Sequence, residues 1–312
     1  MSWKGSLSGK PFISKFLVFG GVCLLSMTLF TLLGLILASY LFDLDLIFNK
    51  DLLNHYEDVN VINALKLIQT FSAIGLFIVP SILCSWIFSK SPLDYIYMRR
   101  RPGILLIFLV VIVLFSAVPL INWMVYLNQQ LALPSFMWGI ENWMKASEKQ
   151  AAQLTEAFLK TSSLTGLFAN LIIIGLIPAI GEELLFRGVL QRLLSESMKN
   201  KHLPIIISAF VFSAMHMQFY GFFPRMMLGI LFGYFLLWSN SLWLPIIGHF
   251  INNAAAVIFA FYAAKENMPF DQDTIGALPE DQFYLVSSAI VSTAFLFLIY
   301  KKAMVNSKIG TA

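Results

Sequence analysis

Apolar runs that are near or above the length needed to cross a bilayer recur eight times along this 312-residue chain. A helix of about 20 apolar residues spans the hydrocarbon core of a membrane. Backbone N–H and C=O groups find no water there, so each crossing segment must pair them internally, as a helix does. The sequence therefore predicts an all-α, polytopic membrane helix bundle of about eight transmembrane helices. The runs cover residues 16–42, 64–88, 103–127, 164–194, 203–219, 223–238, 242–263 and 283–300.

The composition supports this class and excludes several others. Charged residues make up 12% of the chain and hydrophobic residues 58%, whereas a soluble protein carries about 25% charged residues to face water. A soluble globular protein, a secreted disulfide scaffold, a disordered tail and a nucleic-acid binder are all excluded. Cys23 and Cys84 lie inside apolar runs, and we interpret them as buried or lipid-facing thiols.

The distribution of charges predicts the orientation in the membrane. With the N-terminus inside, 13 of the 21 Lys and Arg fall on the cytoplasmic side, whereas 13 of the 17 Asp and Glu fall outside. This asymmetry is the one that membrane insertion favours, and it predicts that both termini are cytoplasmic. The compact loops favour a bacterial plasma membrane. Residues 134–160 are amphipathic, which predicts either a helix at the outer interface or an extension of a neighbouring span.

Two adjacent glutamates interrupt the fourth run. Glu182 and Glu183 are followed by Arg187, and an ionisable residue at membrane depth is costly enough to indicate a functional site. Arg187 lies four residues after Glu183, the spacing at which a carboxylate and a guanidinium meet on one helix face. A self-neutralising ion pair is the simpler interpretation of these two residues, but it leaves Glu182 unexplained.

Two of the four histidines also lie inside apolar runs. His216 ends the pattern Phe-x-x-x-His that begins at Phe212, and His249 begins His-x-x-x-Asn, which ends at Asn253. Taken singly, each histidine is more typical of a helix–helix hydrogen bond than of a ligand. At 1.5 Å per helical residue, however, the glutamates, the histidines and Asn253 all lie about 10–20 Å from the cytoplasmic ends of their runs. A shared depth predicts one site.

The residue types point to hydrolysis. Carboxylates and imidazoles bind zinc, and zinc-bound water supplies hydroxide near neutral pH. A second carboxylate can act as general base, and a side-chain amide can stabilise an oxyanion. We expect Glu182, Glu183, His216 and His249 to be the zinc ligands, with water activated by glutamate alone as the alternative. The chain has no His-Glu-x-x-His, no Gly-x-Ser-x-Gly and no paired intramembrane Asp, which disfavours other protease classes.

The three motifs in this order resemble those of the CAAX-protease and bacteriocin-processing (CPBP, Abi-type) family of intramembrane endopeptidases. The resemblance covers about residues 164–263 and implies an eight-helix bundle with a cytoplasm-facing conical cavity. It implies that Glu182 or Glu183 holds or activates the water together with His216. His249 and Asn253 would bind metal or stabilise the oxyanion, Arg187 would orient a glutamate, and Phe212 would line the cavity.

These observations predict one integrated membrane domain. Three helices and the amphipathic segment occupy residues 1–163, the catalytic core residues 164–263, and the last helix with its tail residues 264–312. The expected partners are membrane lipids and a protein or peptide substrate, with or without a lipid group, and no nucleic acid. A non-catalytic immunity or assembly factor is the main alternative. A transporter is less favoured, because few polar residues lie on the outer side of the predicted site.

Overall fold

The computed structural model describes residues 3–266, 268 and 282–309, and all the regular elements within these ranges are helices. The predicted all-α membrane bundle is confirmed. Lys50–Asn54, Pro92–Tyr95 and Ser135–Met137 form short helical turns between the long helices. The acidic segment 271–281, predicted to face outside, lies beyond the described residues. The long helices are α1 (Phe12–Phe42), α2 (Val59–Phe88), α3 (Ile104–Ser116), α4 (Val118–Gln129), α5 (Trp138–Leu159), α6 (Leu164–Ser197), α7 (Leu203–Ala214), α8 (Phe222–Ser239), α9 (Trp243–Lys265) and α10 (Gln282–Ile309).

Six of the described helices are long and apolar enough to cross a membrane, and α3 with α4 makes a seventh crossing if the bent pair is one span. The two helices meet at an angle of 44°. Pro119 is the second residue of α4, and a proline removes a backbone donor and clashes with the preceding turn. The predicted span 203–219 differs more, because α7 ends at Ala214. Its 12 residues cover about 18 Å, so α7 alone is too short to cross.

Proline also shapes two of the long helices. A wider, π-helical turn at Ile74–Ile78 precedes Pro80 in α2, and another at Leu171–Leu176 precedes Pro178 in α6. Such turns accommodate the carbonyl groups that a proline leaves without a donor. In α2 the freed Gly75 carbonyl accepts a hydrogen bond from Ser26 Oγ of α1 at 2.6 Å. The carbonyl that Pro80 leaves free in α2 therefore has a hydrogen-bond donor inside the apolar bundle.

Helix α6 lies at the centre of the packing. It contacts α2 on one side and α9 on another, while α7 packs along α8 and α10 packs along α3. Eleven consecutive residues, 181–191, are buried, so this stretch is surrounded by protein on every face. Gly181 permits the close approach of α2, since a Cβ there would lie 2.9 Å from Cβ of Phe77. The motif that carries the two glutamates is thus the most enclosed part of α6.

The amphipathic segment forms its own helix, α5, and residues 160–163 separate it from α6. Trp143 of α5 contacts the Phe219 ring, with centroids 5.2 Å apart. The Tyr220 backbone N–H donates to Glu148 Oε2 at 3.3 Å. Helix α5 therefore packs on the turn between α7 and α8. Its place at the outer interface and the division of the chain at residues 163 and 263 stay predictions.

Candidate active site

The two glutamates of α6 have different surroundings although they are adjacent. Glu183 is completely buried, and Glu182 retains 8% of its exposure. A π-helical turn, Leu184–Leu190, begins directly after Glu183; π-helical turns are frequent at functional sites. Because neighbouring helical residues point about 100° apart, the two carboxylates contact different groups.

Glu183 makes two strong contacts through the same oxygen. Arg187 Nη1 donates to Glu183 Oε1 at 2.9 Å, and His249 Nδ1 donates to the same oxygen at 2.9 Å. Arg187 is 1% exposed; its Nη2 donates to the Gly229 carbonyl at 3.0 Å, and its guanidinium lies 4.6 Å from the Phe212 ring centroid. The structure thus contains the ion pair expected from the four-residue spacing, and it extends the pair to His249.

His249 connects the two glutamates. A carboxylate only accepts hydrogen bonds, so the bond to Glu183 requires the proton on Nδ1 and directs Nε2 toward the other side of the ring. His249 Nε2 lies 3.8 Å from Glu182 Oε2, which is too long for a hydrogen bond. The imidazole stacks on Phe232 with centroids 5.3 Å apart. Among the described residues, Glu182 has no hydrogen-bond partner, and its carboxylate is available to another molecule.

His216 lies in the turn that follows α7. Its Nδ1 donates to the Phe212 carbonyl at 2.8 Å, so in the neutral ring Nε2 keeps its lone pair. The Phe212 ring contacts both histidines, with centroids 5.0 Å from His216 and 6.0 Å from His249. Within the described part of the chain, no hydrogen bond joins His216 to either glutamate. Phe212 therefore connects the two histidines, as a wall residue of a shared site would.

Asn253 contacts α6 away from the glutamates. Its Nδ2 donates to the Ile174 carbonyl at 3.3 Å. Ile174 lies four residues before Pro178, which has no N–H to return. The amide thus donates to a backbone carbonyl inside the π-helical turn of α6, and its predicted role at an oxyanion stays a prediction.

The donor chemistry at this site is compatible with zinc. Metal-binding histidines usually donate their other ring N–H to a carboxylate or a backbone carbonyl, as both histidines do here through Nδ1. The positions of the side chains are less favourable to zinc than their chemistry. Among the described residues, no group of three or more His, Cys, Asp or Glu is placed to hold a metal ion. Glu183 is moreover occupied by Arg187. The zinc prediction is untested and stays a prediction.

Sequence reasoning missed one charged residue near the site. Arg225 lies in the first turn of α8, and its Nη2 donates to Gln218 Oε1 at 2.6 Å. Its charge interacts electrostatically with Glu182 and His216. The sequence could have indicated Arg225, because it is the only Asp, Glu, Lys or Arg between residues 203 and 264.

Residues 164–255 match a protein-family model described as type II CAAX prenyl endopeptidase Rce1-like. The matched range contains every predicted site residue, from Glu182 to Asn253. No curated protein and no solved structure matches the chain. The family resemblance drawn from the three motifs is confirmed over this segment, and the matched family is one of endopeptidases.

Proposed function

We propose that this protein is an intramembrane endopeptidase in which Glu182, together with His216, activates the water that hydrolyses a peptide bond. One observation carries the proposal: Glu182 has no hydrogen-bond partner among the described residues, and it lies beside His249, which the Glu183–Arg187 pair holds in place. A general base needs a carboxylate that can reach water. Glu182 meets this need better than the fully enclosed Glu183.

Glu183 is then a positioning residue. Its Oε1 fixes the His249 ring, and Arg187 balances its charge where a lone carboxylate would be very costly. The other oxygen, Oε2, is buried without a hydrogen-bond partner among the described residues. Arg187 is in turn fixed by the Gly229 carbonyl and by three aromatic rings. This network gives the site a rigid frame.

The reaction follows from these positions. Glu182 accepts a proton from water while the water oxygen attacks the carbonyl carbon, and the carbonyl oxygen takes the electron pair. His216 accepts a hydrogen bond from the water through Nε2. Asn253 is assigned to the oxyanion through its side-chain amide, and His249, one helical turn before it on α9, would also donate to the oxyanion when Nε2 carries a second proton. Glu182 then delivers its proton to the amide nitrogen, and the C–N bond breaks to release an acid and an amine.

Zinc is the second form of this proposal. Glu182 with Nε2 of His249 and of His216 would hold the ion, and it would supply a more acidic water. Metal analysis of the purified protein, with a Glu182→Gln, His216→Ala double variant as control, separates the two forms. Stoichiometric zinc that the control lacks supports the metal form. Full activity in a zinc-free preparation supports glutamate alone.

The substrate is proposed to be a membrane-associated protein or peptide, and the likeness to type II CAAX prenyl endopeptidases suggests that it is prenylated. Internally quenched peptides, with and without a farnesyl group, provide the assay. Glu182→Gln should reduce hydrolysis by about 10²-fold or more, on the scale of acid–base catalysis, without loss of folded yield. Glu156→Gln makes the same chemical change at an exposed position of α5 and should have no effect. Equal hydrolysis by Glu182→Gln and wild type would contradict the role of Glu182, and no hydrolysis by wild type would favour an immunity or assembly factor.

We also propose that both termini are cytoplasmic, in a bacterial plasma membrane, so that the site opens toward the cytoplasm. A reporter that is active only outside the cytoplasm should be silent when fused after residue 312 and active when inserted near residue 272. The opposite pattern would reverse the proposed topology.

A further inference from the structure

Arg225 is a cation that the proposed reaction does not use. It is half-buried near the start of α8 and is the only Asp, Glu, Lys or Arg from residue 203 to residue 264. A charge within a membrane segment is costly, and such residues usually line a pathway or a binding site. The Glu183–Arg187 pair is complete without it, so Arg225 needs a separate explanation.

The guanidinium of Arg225 uses only part of its hydrogen-bonding capacity within the described chain. Nη2 donates to Gln218 Oε1 at 2.6 Å and Nη1 to the Gln218 carbonyl at 3.4 Å. Within the described ranges, no carboxylate oxygen lies within the 4.0 Å of an ion pair. A guanidinium carries five N–H donors, so these contacts leave most of its capacity unused. Its only side-chain hydrogen-bond partner in the described chain is a neutral amide.

The position of Arg225 is set by the turn that carries His216. Gln218 lies two residues after His216, and Met217 between them has φ of 54°, a left-handed conformation that closes the turn. Gly221 leaves room for the guanidinium, since a Cβ there would lie 3.2 Å from Nη2. The charge interacts with both Glu182 and His216. Arg225 is therefore tied through Gln218 to the turn that carries His216, and its charge also interacts with Glu148 of α5.

We propose that Arg225, held by Gln218, binds a carboxylate of the peptide substrate and so sets which peptide bond reaches Glu182. This inference rests on the proposed function and adds the chemical class of one substrate group. A guanidinium binds a carboxylate through two parallel hydrogen bonds. The carboxylate has two possible sources, the C-terminus of the substrate and an acidic side chain.

Binding of peptides that cannot be cleaved tests this subsite apart from catalysis. The probe is a fluorescent, S-farnesylated tetrapeptide with N-methylated amide bonds, prepared as the free acid, as the carboxamide, and as a carboxamide with one Asp. Anisotropy with the full chain in detergent micelles should show wild type binding a carboxylate-bearing form at least about 10-fold more tightly than the neutral carboxamide, as for other charged hydrogen bonds. Preference for the free acid identifies the C-terminus, and preference for the Asp form identifies a side chain.

Variants separate recognition from folding. Arg225→Gln should abolish the preference and leave carboxamide affinity unchanged, whereas Arg225→Lys should retain part of it. Lys149→Gln, which removes a positive charge from an exposed position of α5, should keep the full preference. Equal affinity of wild type for all three forms, including no binding of any form, would overturn the subsite. So would an equal loss for all forms in Arg225→Gln, which indicates that Arg225 only holds the turn.

The same peptides without N-methylation distinguish this failure from failure of the proposed function. Cleavage without carboxylate preference leaves the endopeptidase standing and removes the subsite. Carboxylate preference without cleavage supports the subsite and contradicts the endopeptidase.

Discussion

Two ion pairs with the same four-residue spacing lie in two regions of this molecule, the enclosed centre of α6 and the exposed helix α5. In α6, Arg187 Nη1 lies 2.9 Å from Glu183 Oε1, and the two side chains are 1% and 0% exposed. In α5, Lys145 Nζ lies 2.6 Å from Glu141 Oε1, and the lysine side chain is 59% exposed. Spacing and contact distance are nearly equal, and the surroundings differ.

The comparison shows that burial, rather than geometry, decides what such a pair does. In α5 water can replace either partner, so an exposed pair contributes little. In α6 loss of one partner leaves the other charged and unpaired in an apolar bundle, which costs several kcal/mol. The buried pair therefore makes the site depend on both of its members, and it contributes little as an attraction on its own.

The largest expected effect follows from breaking the buried pair. Arg187→Ala should lower the free energy of unfolding by about 3–5 kcal/mol, because Glu183 loses its counter-ion. Folded yield in detergent and the midpoint of thermal unfolding measure this loss. Activity should fall as well, since His249 is held through Glu183.

Removing both charges is the matching control. The double variant Glu183→Gln, Arg187→Leu should recover folded yield without recovering hydrolysis. If the double variant is as unstable as Arg187→Ala, the cause is lost packing against Phe212 rather than a stranded charge, and the comparison fails.

A smaller effect is expected from substituting two glycines, one in a close contact between helices and one with open space around it. Gly181→Ala should destabilise by about 1–3 kcal/mol, because its Cβ would lie 2.9 Å from Cβ of Phe77 and the helices would have to shift. Gly20→Ala in α1 should be neutral or slightly stabilising, because nothing lies within 4 Å of the added Cβ. Thermal unfolding of the two variants in the same detergent measures the difference; equal midpoints would contradict the close packing of α2 on α6.

The smallest effect is expected in α5. The hydrogen bond from Lys145 lowers the pKa of the Glu141 carboxyl, so any stabilisation by this pair is present above the ordinary glutamate pKa and is lost as the pH falls through the lowered value. Lys145→Met should change the unfolding midpoint only slightly at neutral pH, and this small difference from wild type should disappear as the pH falls through the lowered value. A drop comparable to that of Arg187→Ala would show that α5 is not exposed in the folded protein.

The sequence predicted the positions of most spans to within a few residues. The fourth run was predicted at 164–194 and α6 covers Leu164–Ser197; charged residues beyond the run mark where the apolar environment ends. The end of α7 could not be predicted in the same way. The chain stays mostly apolar beyond Ala214, at Met215 and Met217. Hydropathy indicates which environment a segment tolerates, and it does not indicate where the helix ends.

At the site, the sequence pattern predicted one side-chain contact and could not predict the others. Spacing along one helix predicted the Glu183–Arg187 contact, because residues four apart share a face. The contact of His249 with Glu183 and the isolation of Glu182 depend on how α9 packs against α6 around the π-helical turn. Asn253 donates to the Ile174 carbonyl in the π-helical turn of α6, and this contact between two helices is contained in no single motif.

The short α7 has a consequence for the surrounding lipid. Its 12 residues cover about 18 Å of a hydrocarbon layer that is about 30 Å thick, and the polar turn that follows carries His216. A hydrophobic segment shorter than the bilayer is accommodated by local thinning. We expect lipid tails beside α7 to be compressed and headgroups with their hydration to be drawn inward. Lipids with longer tails should increase this mismatch.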